Sequence, residues 1–150
     1  MQKAIYFDMD GTIANLYAVP NWLPLIRSYD PSPYMEAKPM VHLATLARML
    51  NKLQREGWTI GIVSWLSRDP DPAYGELVKE AKEAWLAQHL PSVSWDEIHI
   101  VPHGVPKSSV VDMPQGLLFD DETANRIAWR DGKGNAFDAD NIFTILSHLA

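Results

Sequence analysis

The chain has 150 residues, 47% hydrophobic and 21% charged, which is ordinary composition for one globular domain with a sizeable core. Its net charge of −6 disfavours binding to extended nucleic acid or to an anionic membrane, and the absence of cysteine excludes disulfides and thiolate chemistry. The first residues lead directly into a predicted strand and no apolar run reaches membrane-spanning length. We therefore expect no signal peptide, no membrane partner and a cytoplasmic location.

Two carboxylates follow the first predicted strand. The apolar run Ala4–Phe7 ends in a turn signal, which is typical of a buried strand, and Asp8 and Asp10 come directly after it. Two acids there are unfavourable for folding alone, because they repel and each costs free energy to desolvate. The same pattern opens calcium loops, but those need a glutamate at the twelfth position, which here is Val19. We therefore interpret Asp8 and Asp10 as a catalytic pair.

Residues 13–40 are irregular, because five prolines exclude a long helix and leave room only for a short one over 21–29. The segment carries four aromatic residues, Tyr17, Trp22, Tyr29 and Tyr34. They either fill a small satellite core or face a substrate. The first interpretation is favoured, because aromatic area usually ends in packing.

A helix and a second buried strand follow. Leucines at helical spacing predict a helix over 41–56, and Trp58–Ser64 is a buried strand, so the two strands should be parallel with a right-handed crossover. Ser64 closes this strand with a hydroxyl. Arg68, in the next loop, is interpreted as a solvated surface charge, the alternative being a clamp for a substrate anion.

The second half of the chain repeats the alternation of helix and strand. We predict a helix over 73–89 and a strand at Ile98–Val101, and we interpret His99 and His103 as structural or solvated. Residues facing inward from this helix are predicted to be Leu77, Ala81, Ala84 and Trp85. An edge strand over 135–138 and a closing helix over 140–149 complete the prediction.

A second acid pair ends the strand predicted at 116–121. Asp120 and Asp121 are adjacent, and burying both makes little sense without a cation, although one acid is well placed to cap the helix that follows through Trp129. Lys107 lies in a loop upstream of this pair. We therefore expect one of the two acids to bind a metal and the other to assist or to cap.

Four segments in this order resemble the motifs of the haloacid dehalogenase-like (HAD) hydrolases, and of their phosphatase branch in particular. Asp8-Met-Asp-Gly-Thr12 matches the first motif, Ser64 the second, Lys107 the third and Asp120-Asp121 the fourth. The resemblance implies a single α/β domain over 1–150, a three-layer, Rossmann-like parallel sheet of about five strands with helices on both faces. It places the first and fourth motif strands side by side, and it makes 13–40 a small, cap-like insertion.

The resemblance also implies a chemistry. Asp8 would be the nucleophile and Asp10 the general acid and base, while substrate would contact Thr12, Ser64 and Lys107. Mg²⁺ would be held by Asp8, Asp120, Asp121 and the backbone carbonyl of Asp10. The resemblance makes Asp120 the better ligand of the fourth motif, with Asp121 close behind, but the residues do not decide which of the two is the main ligand.

The implied function is hydrolysis of a small phosphomonoester through an aspartyl-phosphate, with a nucleoside monophosphate as the leading candidate substrate. The alternatives are a phosphatase of nucleic-acid ends or small phosphorylated metabolites, phosphate transfer to an acceptor, and a non-catalytic protein that binds phosphate or a partner. The sequence indicates no oligomeric state.

Overall fold

The computed structural model describes residues 2–149 of the chain as alternating strands and helices. In chain order these are β1 (Ala4–Phe7), β2 (Ala14–Asn15), α1 (Trp22–Arg27), α2 (Ser32–Glu36), β3 (Lys38–Pro39), α3 (Leu43–Arg55), β4 (Thr59–Trp65), α4 (Pro72–His89), β5 (Glu97–Val101), β6 (Leu117–Phe119), α5 (Thr123–Asp131), β7 (Asn135–Phe137) and α6 (Ile142–Leu149). Short 3₁₀ turns lie at 16–18, 107–109 and 139–141. In this part of the chain, no helix is both long and apolar enough to cross a membrane.

Five parallel strands form the main sheet, in the order β5-β4-β1-β6-β7. The central strand β1 is fully buried and apolar, as a strand covered on both faces must be. It pairs with β4 on one side and β6 on the other, so that Ile5 lies between Ile60 and Leu117. The predicted neighbours, the strands of the first and fourth motifs, are therefore confirmed.

Helices cover both faces of this sheet. On one face, Ile5 and Phe7 share a core with buried residues of α3, α6 and the end of α4. On the other face, Ala4 and Tyr6 pack with Trp129 of α5. The alternation of side chains along β1 thus feeds two separate cores, and the predicted three-layer α/β architecture is confirmed.

The predicted inward face of α4 is half wrong. Ala81 and Trp85 are buried as expected, but Leu77 is 45% exposed and Ala84 is also exposed. The buried residues of the helix are Tyr74, Gly75, Val78, Ala81, Lys82, Trp85 and Leu86. The charged residue Lys82 lies within this buried stripe. Because apolar spacing alone excludes a lysine from a buried face, it places the stripe one residue away from its true position.

Residues 13–40 fold against α4. The predicted short helix is present as α1, and β2 and β3 form a small antiparallel pair in which Ala14 lies opposite Pro39. Tyr34 is 5% exposed in a cluster with Tyr74 and Val78 of α4, so the satellite-core interpretation is confirmed for this residue. Tyr17 and Tyr29 are instead about half exposed, at 47% and 49%. The role of the segment as a cap stays a prediction.

Candidate active site

The carboxyl ends of three neighbouring strands bring the predicted site residues together. Asp8 follows β1, Asp120 follows β6, and Ser64 is the penultimate residue of β4. The backbone N–H of Asp8 donates to the carbonyl of Phe119 at 2.9 Å, so the sheet ladder itself sets Asp8 beside Asp120. Such strand ends are where ligands bind in open α/β sheets.

Three carboxylates form the centre of the site. Asp8, Asp120 and Asp121 each place one carboxylate oxygen within 4.8 Å of the others. Thr12 is fully buried beside them: its hydroxyl lies 3.3 Å from Asp8 Oδ2 and 3.4 Å from Asp121 Oδ1, and it accepts from the Asp121 N–H at 3.2 Å. The hydroxyl predicted to contact substrate thus positions these two acids here.

Lys107 lies against two of the acids. Its ammonium donates to Asp8 Oδ1 at 3.0 Å and to Asp120 Oδ2 at 2.6 Å, and the side chain is buried. Burial opposes the charge of Lys107, but the two carboxylates outweigh it and raise the pKa of the ammonium above its ordinary value. One permanent positive charge therefore balances part of the acid cluster.

The two acids of the fourth motif differ in their contacts. Asp120 is fully buried, and its carboxylate accepts from Lys107, from the Glu122 N–H at 2.9 Å and from Asn125 at 3.2 Å. Asp121 is half-buried. Within residues 2–149, the hydrogen-bond donor to its carboxylate is the Thr12 hydroxyl, 3.4 Å from Oδ1. Asp121 therefore has the freer oxygen atoms for another ligand.

Burial leaves these acids short of counter-charge. Burial, with Asp8 nearby, raises the pKa of Asp120 to about 6 and that of Asp121 to about 7. Three close carboxylates opposed by one ammonium offer hard oxygen donors and excess negative charge. This donor set fits Mg²⁺, which prefers carboxylate oxygen.

Asp10 lies outside the group of three acids and pairs with a different lysine. Its Oδ2 accepts from Lys82 Nζ at 2.8 Å, and burial raises the pKa of Asp10 while the Lys82 ammonium opposes that rise. Lys82 also donates to Ser64 Oγ at 2.8 Å. Lys82 was not predicted from the sequence. The one signal for it was its position, at helical spacing from apolar residues of the buried face.

A cavity of about 540 Å³ opens above the acids. Asp8 and Asp10 reach it from the end of β1, Lys107 from the 3₁₀ turn at 107–109, and residues of the 13–40 segment face it from one side. The other side is lined by residues 65–69 and 103. Arg68 is exposed as predicted, yet it and His103 both line the cavity. The hydroxyl of Ser67, also on the lining, is buried and has no partner among residues 2–149.

No protein-family model matches the chain, and no curated protein sequence matches it. Solved structures do. The D,D-heptose 1,7-bisphosphate phosphatase from Burkholderia thailandensis matches with a TM-score of 0.53 at 12% identity, covering 89% of this chain and 75% of that one. The corresponding enzyme from B. bronchiseptica, complexed with magnesium and phosphate, has a TM-score of 0.53 at 17% identity, covering 90% and 78%.

A third similar structure is a HAD family enzyme from Bacteroides thetaiotaomicron in complex with magnesium and inorganic phosphate. Its TM-score is 0.53 at 9% identity, and the match covers 92% of this chain and 94% of that one. The chain has the HAD-like fold. The HAD-like architecture predicted from the four motifs is thus confirmed.

Proposed function

We propose that this HAD-like protein is a Mg²⁺-dependent phosphomonoester hydrolase that works through an aspartyl-phosphate on Asp8. The observation that carries the proposal is the Asp8 carboxylate, which reaches the floor of the cavity while Lys107 holds it beside Asp120 and Asp121. Similar structures that contain magnesium and phosphate support the same chemistry.

In the first half-reaction, a carboxylate oxygen of Asp8 attacks phosphorus and the bond from phosphorus to the leaving oxygen breaks. Asp10 gives its proton to that oxygen, and burial, which raises the pKa of Asp10, favours the protonated form at the start. In the second half, Asp10 takes a proton from water while the water oxygen attacks phosphorus. The bond from phosphorus to the Asp8 oxygen breaks, which frees phosphate and restores the Asp8 carboxylate.

The remaining groups stabilise the charge of the transferring phosphoryl group. Lys107 supplies a positive charge beside Asp8, and the Ser67 hydroxyl on the cavity lining can donate without adding charge. Ser64, which was predicted to contact substrate, is buried and accepts from Lys82, so it would act from just behind the residues that line the cavity. Asp8, Asp120, Asp121 and the Asp10 carbonyl would hold Mg²⁺, which would add electrostatic stabilisation of the negative charge on the phosphoryl oxygens.

The test is turnover of an aryl phosphate with Mg²⁺. Asp8→Asn should lower kcat by at least about 1,000-fold, because it removes the nucleophile. Asp131→Asn, an exposed acid at the end of α5, is the matched control and should leave kcat unchanged. Near-normal turnover by Asp8→Asn would exclude the covalent mechanism.

Metal dependence is tested with the same assay. Excess chelator should abolish turnover and Mg²⁺ should restore it, whereas Ca²⁺ should substitute poorly because its coordination is looser and higher. Full activity in excess chelator would contradict the metal requirement. Phosphate binding without any turnover would favour the non-catalytic alternative.

Within this function, we propose a nucleoside monophosphate as the substrate. The lining supports it: Tyr17 and Trp22 meet edge to face at 5.1 Å on one side of the cavity, and Trp65 lies against His103 at 4.7 Å on the other. A volume of about 540 Å³ is in the range of small-molecule sites. Stacking of a base on an aromatic side chain contributes about 1–3 kcal/mol.

Comparison of substrates tests this finer proposal. Nucleoside monophosphates should have higher kcat/KM than sugar phosphates of similar charge, and Trp22→Ala should lower that value by about 5- to 150-fold for nucleotides alone. Tyr29→Ala, an exposed aromatic of the same segment, is the control. Preference for sugar phosphates, with no effect of Trp22→Ala, would favour a small phosphorylated metabolite.

A further inference from the structure

Lys82 is a buried lysine in the middle of α4. Its side chain is 1% exposed, and its ammonium donates to Asp10 Oδ2 at 2.8 Å, to Ser64 Oγ at 2.8 Å and to the Trp65 carbonyl at 2.6 Å. The ring of Tyr34 lies against it, with Nζ 5.2 Å from the ring centroid. An ammonium has three donors, and all three are used, on the loop after β1 and on two successive residues of β4.

Burying this charge is costly for folding. A lysine loses hydration and rotamer freedom when buried, and a buried ion pair is often no more stabilising than apolar residues of similar volume. The neighbours on the same helix face are apolar, among them Val78, Ala81 and Trp85, so a methionine at 82 would continue the stripe. Core packing alone therefore does not account for the lysine.

The contacts of Lys82 fix one half of the Asp10 carboxylate. Oδ2 accepts from Lys82, whereas Oδ1 meets no donor within residues 2–149, and Asp10 lines the cavity. The third contact, with the Trp65 carbonyl, anchors the ammonium to the backbone of β4. The carboxylate is therefore held in one orientation that leaves a single oxygen free.

We propose that Lys82 is a positioning residue for proton transfer, holding Asp10 so that Oδ1 faces the leaving oxygen of the phosphate ester. The inference rests on the proposed function and extends it. The proton moves from Asp10 Oδ1 to the leaving oxygen as the bond from that oxygen to phosphorus breaks. Lys82 orients the acid and takes no part in the transfer. Lys107 acts separately, on Asp8 and Asp120.

Leaving groups of different basicity test this role. The leaving oxygen of an alkyl phosphate needs a proton, because an alkoxide is a poor leaving group. The nitrophenolate of a nitro-substituted aryl phosphate leaves readily without one. In Lys82→Met, release of the first equivalent of alcohol should slow by about 100-fold or more for the alkyl ester. For the aryl ester the same step should slow by less than about tenfold, with little change in KM.

Two control variants separate this role from others. Lys79→Met replaces an exposed lysine on the same helix and should change neither rate. Lys107→Met should slow both esters alike, because Lys107 serves the phosphoryl charge and not the leaving group. Equal losses for the two esters in Lys82→Met would overturn the inference. If that variant does not fold, Lys82→Arg, which keeps a cation without matching the three contacts, allows the same comparison.

The structure of the Lys82 variant gives a readout that does not depend on turnover. Crystals of Lys82→Met should show the Asp10 carboxylate rotated or disordered, and an unmoved carboxylate would overturn the inference. Absence of turnover by the wild-type protein on both esters would contradict the proposed function instead. The orientation of Asp10 in the variant would still decide the role of Lys82.

Discussion

Four carboxylates and two ammonium groups share one small site. Lys107 contacts Asp8 and Asp120, Lys82 contacts Asp10, and Asp121 has no cation partner of its own in the described chain. With all four acids ionised, four negative charges less two positive charges leave two, and with Asp10 protonated for the first half-reaction one is left, so the site keeps an excess of negative charge in both states. Buried ion pairs contribute little net stability, so folding alone does not account for this arrangement, which fits the proposed binding of a cation and a phosphate.

Stabilisation by metal should depend on pH. The raised pKa values of Asp120 and Asp121, about 6 and about 7, mean that without metal these acids contribute stability below about pH 4, which is lost as pH rises through those values. Bound Mg²⁺ would need them deprotonated and would offset the loss. The rise in Tm caused by Mg²⁺ should therefore grow between about pH 5 and about pH 8.

Thermal unfolding with and without Mg²⁺ across that range measures this effect. Asp121→Asn removes one of the two titrating groups and should flatten the pH dependence. A metal-induced rise in Tm that stays constant with pH would contradict the expectation.

Gly11 is the glycine that the site requires. Its φ is +79°, and a Cβ there would lie 2.3 Å from Asp121 Oδ2. Gly11→Ala should therefore destabilise the protein by about 1–3 kcal/mol and displace Asp121, which weakens the metal effect on Tm. Gly104 has a φ of +91° and nothing within 4 Å of its Cβ position, so Gly104→Ala is the control for backbone strain alone.

Urea unfolding of both variants, with and without Mg²⁺, makes the comparison. Both should lose stability, but Gly11→Ala alone should lose the metal response. An equal metal response in the two variants would mean that the contact between position 11 and Asp121 does not affect metal binding.

Much of the candidate site was predictable from the sequence, because acids that directly follow apolar strands are a clear signal. Asp8 and Asp120 follow apolar runs, where an acid is costly to bury unless a ligand or a counter-charge compensates it. Parallel strands bring such ends together. Lys82 was not predictable in this way, because helical spacing does not reveal that a lysine faces inward. Its partners are 72 and 18 residues away in sequence, and only the tertiary fold brings them into contact.

At the scale of elements, the sheet strands, the longer helices and the short helix α1 were predicted, whereas α2 and the β2–β3 pair were not. The central strands β1 and β6 and most of β4 carry apolar runs that fix their positions. By contrast, α2 and the β2–β3 pair lie in a proline-rich stretch and depend on tertiary contacts, such as the packing of Tyr34 on α4. Local sequence carries little information about such elements.

Helix α4 connects the sheet to the 13–40 segment. Trp85 is fully buried, and its indole N–H donates to the carbonyl of Ala37 at 2.7 Å. Trp85→Ala should cost about 3–5 kcal/mol of the unfolding free energy, because it opens a large cavity and leaves that carbonyl unpaired. Leu77→Ala, on the same helix but 45% exposed, should change it by less than about 1 kcal/mol.

Denaturant unfolding of the two variants tests the corrected face of α4. Losses of similar size would restore the original prediction that Leu77 faces inward. A small loss in Trp85→Ala would mean that the helix does not anchor the segment through this residue.

At the scale of the whole molecule, the charge of the chain limits which substrates suit the proposed activity. The net charge is −6, while Arg27 and Arg68 line a cavity above a cluster of acids. A small anion needs only the local groups of the cavity. A long polyanion also meets the field of the whole surface, which repels it at low ionic strength.

Oligonucleotide phosphates should therefore be poor substrates. A single-stranded oligonucleotide should have kcat/KM about tenfold or more below that of the nucleoside monophosphate matching its terminal residue, because repulsion slows association. Added salt should lower KM for the oligonucleotide by screening that repulsion, whereas a protein built to hold nucleic acid loses affinity as salt rises. Steady-state kinetics at low and physiological ionic strength measure both effects. Preference for the oligonucleotide, with KM rising as salt is added, would identify phosphorylated nucleic-acid ends as the substrate.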